Sequence, residues 1–352
     1  MTIRLWHGLQ SSIRISGARN LTWAVTLPLG IALCFTLHSR LHKSYAITDL
    51  GTLGGPTSTA YAVNDNGQVV GAAYTQDGHY HAFLWDDGHM SDLGVDVDHG
   101  SCAYGLNNTG QVVGSTRVDS TEEHAFLWQN GRVQTLCTLG GKSSVAYAVN
   151  DSGQIVGAAA LPNGRRHACL WEKGHLYDLG TLGGRSSEAR AINRYGHIVG
   201  IAQTRKAESH AFLYRDGQMR DLGTLGGRNS QAYAINACDE VVGSAETALR
   251  DEHAFLYAKG RLEDISPDQT ISCQARAINE AGRVAGSVQT FEDLQDQVWL
   301  TDCHFSPEAR DRLHMAGVKG KLVQAVAINN RNQIAIMGEA QGMPVAYLLS
   351  LP

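Results

Sequence analysis

The sequence predicts an all-β fold built from repeated four-stranded units, and three recurring patterns support this prediction. The pentapeptide HAFLW, or a close variant of it, begins at positions 81, 124, 167, 210 and 253, always 43 residues apart. The segment LGTLGG occurs at 50–55, 179–184 and 222–227. An asparagine recurs with the same step as the pentapeptide; these residues are Asn64, Asn107, Asn150, Asn193, Asn236 and Asn279, and Asn329 follows after a longer gap.

Within one unit the pattern predicts four short strands. In 60–94 the segments AYAVN, QVVGAAY, HYHAFLW and HMSDLG are rich in β-branched and aromatic residues, and Asn, Asp or Gly separates them as in tight turns. About four to eight repeats of roughly 40–45 residues are typical of β-propeller blades, so we predict a seven-bladed β-propeller over 44–352. A β-solenoid is the alternative, although its coils are usually shorter. The repeats, called units 1 to 7 below, lie near 60–94, 103–137, 146–180, 189–223, 232–265, 274–322 and 325–350.

The two ends of the repeat predict a closed ring. Unit 7 supplies strand segments at 325–330, 333–340 and 345–350 but lacks a fourth, whereas AITDLG at 46–51 precedes the first strand of unit 1. We therefore expect 46–51 to pair with 345–350 and to protect both sheet edges. Unit 6 departs from the pattern, because SPEARDRLHMAG at 306–317 predicts a short helix with Ser as its N-cap and Pro in its first turn.

The amino terminus predicts export. Residues 21–37 carry no charge, and Arg4, Arg14 and Arg19 precede them, as in a signal peptide. An apolar helix over 21–37 is also just long enough to remain as a membrane tether, so 1–43 is a signal peptide or a membrane anchor. A buried core helix is the alternative. The expected location is periplasmic, cell-surface or secreted.

Composition excludes some classes of partner. The formal net charge is −5, which gives no support for a nucleic-acid partner. The seven cysteines show no C-x-x-C pair and no zinc spacing, so no metal, cofactor or obligatory disulfide is predicted. Cys137 and Cys169 stand where other units have Gly and Phe. We expect a monomer.

The motifs HAFLW, DLGTLGG and INxxGxVVG together resemble the HAF-repeat proteins, a bacterial family of extracellular repeat proteins. The resemblance covers about residues 45–350. It implies export and a propeller-like repeat fold, and it brings no defined reaction.

The repeated polar residues predict structural roles. LGTLGG resembles a phosphate-binding loop, but it recurs and leads into a strand, so its glycines let the chain pass from one blade to the next. Each repeated asparagine is expected to cap the first hairpin turn. The repeated histidines are His81, His124, His167, His210 and His253. We expect them to bond to an aspartate on the adjacent strand; the candidates are Asp92, Asp178, Asp221 and Asp264.

A candidate ligand face carries the TLGG loops and the connections between second and third strands. Lys142, Arg185 and Arg228 occupy one repeated position there, and Arg165, Arg166 and Arg205 fall on the same face. This basic sector predicts attraction of a carboxylated or sulfated polymer. Because Glu122, Glu123 and other acidic residues share the face, an ordinary solvated rim is the alternative.

A second asymmetry lies three residues before each repeated asparagine. The residues there are Tyr61, Tyr104, Tyr147, Arg190, Tyr233, Arg276 and Val326. Packing between blades is the expected role of this row. Arg190 and Arg276 could also reach the channel mouth and hold an acidic group by paired hydrogen bonds.

These observations lead to two functional hypotheses. The first is an exported binding propeller that engages a surface polymer or a protein partner. The second is a cell-envelope enzyme acting on glycans, a hydrolase or lyase with its site at the channel mouth. Such an enzyme needs a non-repeated pair of acid and base residues, and the sequence offers none, which favours the binding hypothesis.

Overall fold

A computed structural model describes residues 23–26, 32–35, 46–95, 99–117, 122–267, 270–290, 296–303 and 321–351. The chain divides into two compact parts, 1–43 and 44–352. In the first part, β1 (Trp23–Thr26) pairs antiparallel with β2 (Ala32–Phe35). The predicted apolar helix over 21–37 is therefore not formed at these residues. Pro28 and Gly30 lie between the strands in the sequence, and both disfavour a continuous helix because Pro lacks an amide donor and Gly costs chain entropy.

Within the described ranges, no helix is long and apolar enough to cross a membrane. The predicted helix at 306–317 lies outside the described residues.

All the described elements of the second part are β-strands, and the first of them is β3 (Ala46–Asp49). Unit 1 contains β4 (Gly54–Val63), β5 (Val69–Thr75), β6 (Tyr80–Asp86) and β7 (His89–Asp92). Unit 2 contains β8 (Ser101–Leu106), β9 (Val112–Arg117), β10 (Glu123–Gln129) and β11 (Arg132–Thr135). Unit 3 contains β12 (Ser144–Val149), β13 (Ile155–Ala160), β14 (Arg166–Glu172) and β15 (His175–Gly180). Unit 4 contains β16 (Gly183–Ile192), β17 (Ile198–Thr204), β18 (Ser209–Arg215) and β19 (Gln218–Gly223).

Unit 5 also has four strands, and units 6 and 7 each have three strands among the described residues. Unit 5 contains β20 (Gly226–Ile235), β21 (Val241–Thr247), β22 (Glu252–Ala258) and β23 (Arg261–Asp264). Unit 6 contains β24 (Thr270–Ile278), β25 (Arg283–Thr290) and β26 (Gln297–Asp302). Unit 7 contains β27 (Lys321–Ile328), β28 (Gln333–Ala340) and β29 (Met343–Ser350). Successive strands of a unit pair antiparallel, and one parallel pair, Glu252 with Ser272, joins the sheets of units 5 and 6.

The amino-terminal strand completes the sheet of unit 7, as predicted. β3 pairs antiparallel with β29, with Asp49 opposite Tyr347 and Ala46 opposite Ser350. The backbone N–H of Leu50 extends the ladder by donating to the Ala346 carbonyl at 3.1 Å. Leu50 is buried in a cluster with Ala346 and other apolar side chains of units 7 and 1, so the closing strand adds core as well as hydrogen bonds.

The core lies between neighbouring sheets. In one cluster, Val156 and Leu179 of unit 3 pack against Ile198 and Phe212 of unit 4. The Phe of the HAF motif is fully buried wherever it occurs; these residues are Phe83, Phe126, Phe212 and Phe255. Because each sheet is covered on both faces, the second strands read as continuous apolar runs such as VVGAA rather than alternating ones.

Each repeated asparagine bonds its own turn and also the next unit. In unit 3, Asn150 Oδ1 accepts from the backbone N–H groups of Ser152 at 3.1 Å and Gln154 at 3.0 Å, which confirms the predicted turn cap. Its Nδ2 donates to the backbone carbonyl of Asn193 at 3.0 Å. The same donor bond joins every successive pair along the row, and Asn329 returns it to the Asn64 carbonyl at 2.8 Å. The row is therefore a closed hydrogen-bonded circuit.

A row of buried serines forms a second set of links. Ser187 of unit 4 accepts from the backbone N–H of Ala168 in unit 3 at 2.8 Å, and equivalent bonds join other neighbours. In unit 6 the equivalent residue is Cys273. There Ser266 takes over, accepting from the Ala254 N–H at 2.9 Å. Ser266 follows β23, so this acceptor comes from the connection between units 5 and 6 and not from a strand of unit 6.

Candidate functional site

A β-bulge in the first strand of each unit sets the geometry of the site. In unit 4 the register with the second strand shifts between Ala189 and Ala191, which leaves Arg190 without a cross-strand partner. The facing glycine permits this close approach, because a Cβ on Gly200 would lie 2.0 Å from the Glu188 carbonyl oxygen. Bulges re-aim side chains. The bulged residues, called the bulge row below, are Tyr61, Tyr104, Tyr147, Arg190, Tyr233, Arg276 and Val326.

The bulge row is continuous from unit to unit, as its predicted packing role requires. Tyr61 and Tyr104 have ring centroids 5.1 Å apart, and Tyr104 and Tyr147 5.6 Å. The Arg190 guanidinium lies 5.8 Å from the Tyr147 ring centroid and 6.0 Å from that of Tyr233. The Arg276 guanidinium lies 4.4 Å from the same Tyr233 centroid. Six successive units thus bring aromatic and cationic side chains around one axis, aromatic in units 1 to 3 and mixed in units 4 to 6.

Acidic side chains accompany the arginines. Glu188 Oε2 lies 3.2 Å from Arg190 Nη2, and Glu123 Oε1 lies 3.4 Å from Arg166 Nη1. The Nε atoms of both arginines are buried without a hydrogen-bond partner. Burial raises the pKa of Tyr147, and Glu188 raises it further, whereas Arg166 and Arg190 lower it. The Tyr147 phenol therefore stays protonated at neutral pH and can donate a hydrogen bond.

A hydrogen-bonded network crosses units 5, 6 and 7 beside the bulge row. Ser244 Oγ donates to Glu252 Oε1 at 2.6 Å, and Gln274 Nε2 donates to Glu252 Oε2 at 2.9 Å. Arg276 Nη2 donates to Gln274 Oε1 at 2.5 Å. With its amide oxygen facing the guanidinium, Gln324 accepts from Arg276 Nε at 3.0 Å and Nη2 at 3.1 Å. Arg276 is therefore held rigidly by glutamine oxygens at its edge and by Tyr233 at its face.

Two cavities adjoin this network. One has a volume of about 240 Å³ and is walled by the first two strands of unit 6, with Val323 and Gln324 of unit 7. The other, of about 360 Å³, lies between units 4 and 5 and includes Ser244, Glu252 and the loop residue Arg250. The network of units 5 to 7 therefore adjoins cavities that reach the loops of the candidate ligand face.

Sequence reasoning missed the network residues, although a signal for them exists. Two positions before the bulge row, units 1 to 3 carry Thr59, Cys102 and Val145. Units 4 to 7 carry a carboxylate or an amide at that position; these residues are Glu188, Gln231, Gln274 and Gln324. The change from small or apolar to polar residues at one repeated position marks the side of the axis on which the network lies.

The predicted basic sector has a mixed charge in the structure. Lys142 is exposed, and its Nζ lies 2.6 Å from Glu122 Oε1. The Arg228 backbone N–H donates to Glu246 Oε2 at 3.0 Å, and hydrogen bonds from the Asn229 side chain and then from this N–H lower the pKa of Glu246. Four predicted arginines are exposed on these loops: Arg165, Arg185, Arg205 and Arg228. Arg166 is instead half-buried with Arg190 beside Tyr147.

The repeated histidines make the predicted bonds to aspartate in four units. His81 Nδ1 lies 2.6 Å from Asp92 Oδ2, and the equivalent pairs His167–Asp178, His210–Asp221 and His253–Asp264 lie 2.6–2.9 Å apart. In unit 2, Thr135 replaces the aspartate, and His124 Nε2 instead lies 3.1 Å from the Lys142 carbonyl. Each histidine thus bonds within its own unit or to the neighbouring loop.

The glycine loops serve as connections between units. In unit 3, Asp178 Oδ1 accepts from the Gly180 N–H at 2.8 Å, and Gly183 has a φ of 97°, which favours glycine. β16 begins at that glycine and belongs to the next sheet. Across the parts of the chain that the structure describes, no three His, Cys, Asp or Glu side chains form a group that could hold a metal ion. Six cysteines are free thiols: Cys102, Cys137, Cys169, Cys238, Cys273 and Cys303.

No protein family model and no curated protein sequence matches the chain. Solved structures do match. A puromycin-hydrolyzing peptidase of Mycobacterium tuberculosis aligns with a TM-score of 0.56 and 14% identity over 83% of this chain, which spans 50% of the peptidase. YCF48 bound to D1 peptide aligns with a TM-score of 0.52 and 12% identity, covering 87% of this chain and 94% of YCF48. The BP39L lectin from Burkholderia pseudomallei aligns with a TM-score of 0.50 and 7% identity, covering 88% of this chain and 96% of the lectin.

These neighbours are β-propeller proteins, and they include both binding proteins and peptidases. At such low identities the likeness concerns the fold alone. It supports a β-propeller repeat fold for this chain, in agreement with its antiparallel four-stranded sheets.

Proposed function

We propose that this protein is an exported binding module with a seven-bladed β-propeller fold. It binds a surface polymer or a protein at the axial opening of the candidate ligand face. The asparagine circuit supports the blade number, because it has one member in each of seven units and returns to its start. The charge-free segment 21–37 behind three arginines supports export, as does the resemblance to the HAF-repeat proteins.

The observation that carries a binding role is the break of symmetry in the bulge row. A ring that served packing alone would repeat one side chain, whereas this row changes from tyrosine to arginine and gains the acidic partner Glu188, with the ion pair of Arg166 and Glu123 beside it. Tyrosine and arginine dominate the energetics of many interfaces because they combine contact area with hydrogen bonding. The arrangement therefore suits recognition of a ligand with both apolar and polar groups.

The structural neighbours that this chain matches over nearly their full length support the same role. One is a lectin, and another was solved with a peptide bound. The peptidase contains about as much chain again outside the matched part, so its activity gives this chain less support.

The test is a binding screen of the purified full-length chain against cell-envelope polysaccharides and surface proteins. Tyr147→Val should abolish binding to the partner found, because it removes an aromatic member of the bulge row. Unit 7 has Val326 at the same position, so the variant is expected to fold. Tyr177→Val, on the outer strand β15 of the same unit, is the matched control because that side chain is exposed.

Two outcomes would contradict the proposal. One is a screen in which no polymer and no protein binds. The other is equal affinity for the parent and for Tyr147→Val, with both folded by circular dichroism, since the partner would then bind away from the axis.

A further inference from the structure

The cavity between units 6 and 7 is lined almost entirely by hydrogen-bonding groups. Two serine hydroxyls, three glutamine amides, one guanidinium and one carboxylate face it, and Val323 is the apolar residue in its lining. Hydroxyls and amides can each both donate and accept. A lining of this kind offers little apolar contact and many directional bonds.

The orientation of Arg276 argues against an acidic ligand. Its Nε and Nη2 atoms form the edge that would grip a carboxylate by two parallel bonds, and the Gln324 oxygen already occupies that edge at 3.0 and 3.1 Å. Nη2 is also bonded to Gln274, and Tyr233 covers the guanidinium face. The geometry that makes arginine a selective carboxylate receptor is therefore used within the protein.

The charges of the lining lead to the same conclusion. Arg276 and Asp296 both face the cavity, so its formal charge is balanced. A charged ligand would compensate one of them and meet the other as a like charge, whereas a hydroxyl group can accept from the guanidinium and donate to the carboxylate. The volume of about 240 Å³ is below the roughly 300–1,000 Å³ of drug-sized pockets, so it suits one small ring.

We propose that this cavity binds one ring of a neutral, polyhydroxylated ligand, a sugar residue of a glycan. This inference rests on the proposed binding function and specifies its ligand class. Tyr233 and the network from Ser244 to Gln324 fix the polar groups in advance, so that binding orders few side chains.

The experiment uses the full-length chain and six probes: glucose, galactose, mannose, N-acetylglucosamine, glucuronate and a mixture of short peptides. Binding is detected by saturation-transfer NMR and quantified by titration. We expect at least one neutral sugar to bind, with a dissociation constant in the millimolar range for a single ring. Ser272→Leu fills the cavity and should weaken that binding by at least about tenfold, or more than about 1.4 kcal/mol.

A matched control and a second variant separate the site from the fold. Ser186→Leu makes the same change at the equivalent position of unit 4, where the side chain is exposed, and should change the affinity less than about twofold. Arg276→Tyr introduces the residue found at this position in four other units, so it should fold. It removes the donor at the centre of the network and should also abolish sugar binding.

Each contrary result has a distinct meaning. If glucuronate binds and the neutral sugars do not, the proposed ligand class is wrong. If Ser272→Leu and Arg276→Tyr bind a neutral sugar as tightly as the parent does, the proposed site is wrong. If the peptides or a surface protein bind and no sugar does, the glycan inference fails while the proposed binding function stands. If neither polymer nor protein binds in the wider screen, the binding function itself fails.

Discussion

The side-chain amide of each repeated asparagine works in two directions. Its oxygen holds the first hairpin turn, and its nitrogen donates to a buried carbonyl of the next unit. The amide is suited to this because it carries two acceptor sites and two donors in one plane, whereas aspartate lacks the donors and alanine has neither. One residue therefore couples local turn formation to the assembly of neighbouring units.

Asn150→Ala should lower the free energy of unfolding by about 1–3 kcal/mol, because the Asn193 carbonyl loses one of its two donors and the turn N–H groups of Ser152 and Gln154 lose their side-chain acceptor. Urea denaturation of the full-length chain measures the change. Ser152→Ala, in the same turn, removes an exposed side chain and should stay within about 0.5 kcal/mol of the parent. Equal stability of the parent and Asn150→Ala would mean that water replaces these bonds at no cost.

The repeated histidines allow a comparison between units. His210 bonds Asp221 through Nδ1 and the Arg228 carbonyl through Nε2, whereas His124 has the Lys142 carbonyl bond and a threonine in place of the aspartate. His210→Ala should therefore cost about 1–3 kcal/mol, and His124→Ala about half as much. Neither should change the affinity for a confirmed ligand. Loss of binding in His210→Ala at unchanged stability would assign the histidine to the site.

At the scale of single residues, the sequence is informative where the partner is local. The turn cap of Asn150 and the pairing of His210 with Asp221 follow from motif spacing. Motif spacing does not predict the bond from Asn150 to unit 4 or the bond from Gln274 to Glu252 in unit 5. Both bonds depend on how two sheets face each other. Aligning the repeats does reveal where polar residues replace small ones, which is the available signal for the network.

At the scale of strands, the sequence repeat correctly predicts how many strands a unit has and the order in which they pair. The strand order and the pairing of β3 with β29 follow from turn residues and from the missing fourth segment. The bulges cannot be predicted in this way, since a segment such as AYAVN has the same apolar pattern whether or not its tyrosine is bulged. The helix predicted over 21–37 is not formed at 23–26 and 32–35, because hydropathy does not distinguish helix from strand and Pro28 disfavours a continuous helix.

Deleting 46–51 should lower the melting temperature of the full-length chain by about 5–10 °C. The deletion exposes the edge of β29 and removes the buried Leu50 from the cluster that joins units 7 and 1. Circular dichroism at increasing temperature measures the shift. A deletion of equal length at 38–43, which precedes the strand, is the control and should leave the melting temperature within about 1 °C. Equal melting temperatures for both deletions would refute the closing role of β3.

At the scale of the whole molecule, opposite charges alternate on the candidate ligand face. Lys142 pairs with Glu122, Glu246 lies at the Arg228 backbone, and Arg166 pairs with Glu123. A net charge of −5 for the chain adds no positive field of longer range. Such a surface attracts a polyanion weakly, because acidic groups lie among its cations and salt screens the remaining charge within about 10 Å.

This balance predicts how binding responds to charge. Changing Lys142, Arg185 and Arg228 together to Ser should weaken binding of a confirmed glycan less than about twofold, because exposed ion pairs contribute little and a neutral sugar ring does not need them. Affinity of the parent should also be nearly the same at low and moderate salt. Both are measured by titration of the polymer found in the screen. A large loss of affinity in the triple variant, together with an affinity of the parent that falls steeply as salt rises, would instead support the basic sector as the site of a carboxylated or sulfated polymer. Salt screens the attraction between such a polymer and the basic sector, but it does not screen hydrogen bonds in the cavity beside Arg276.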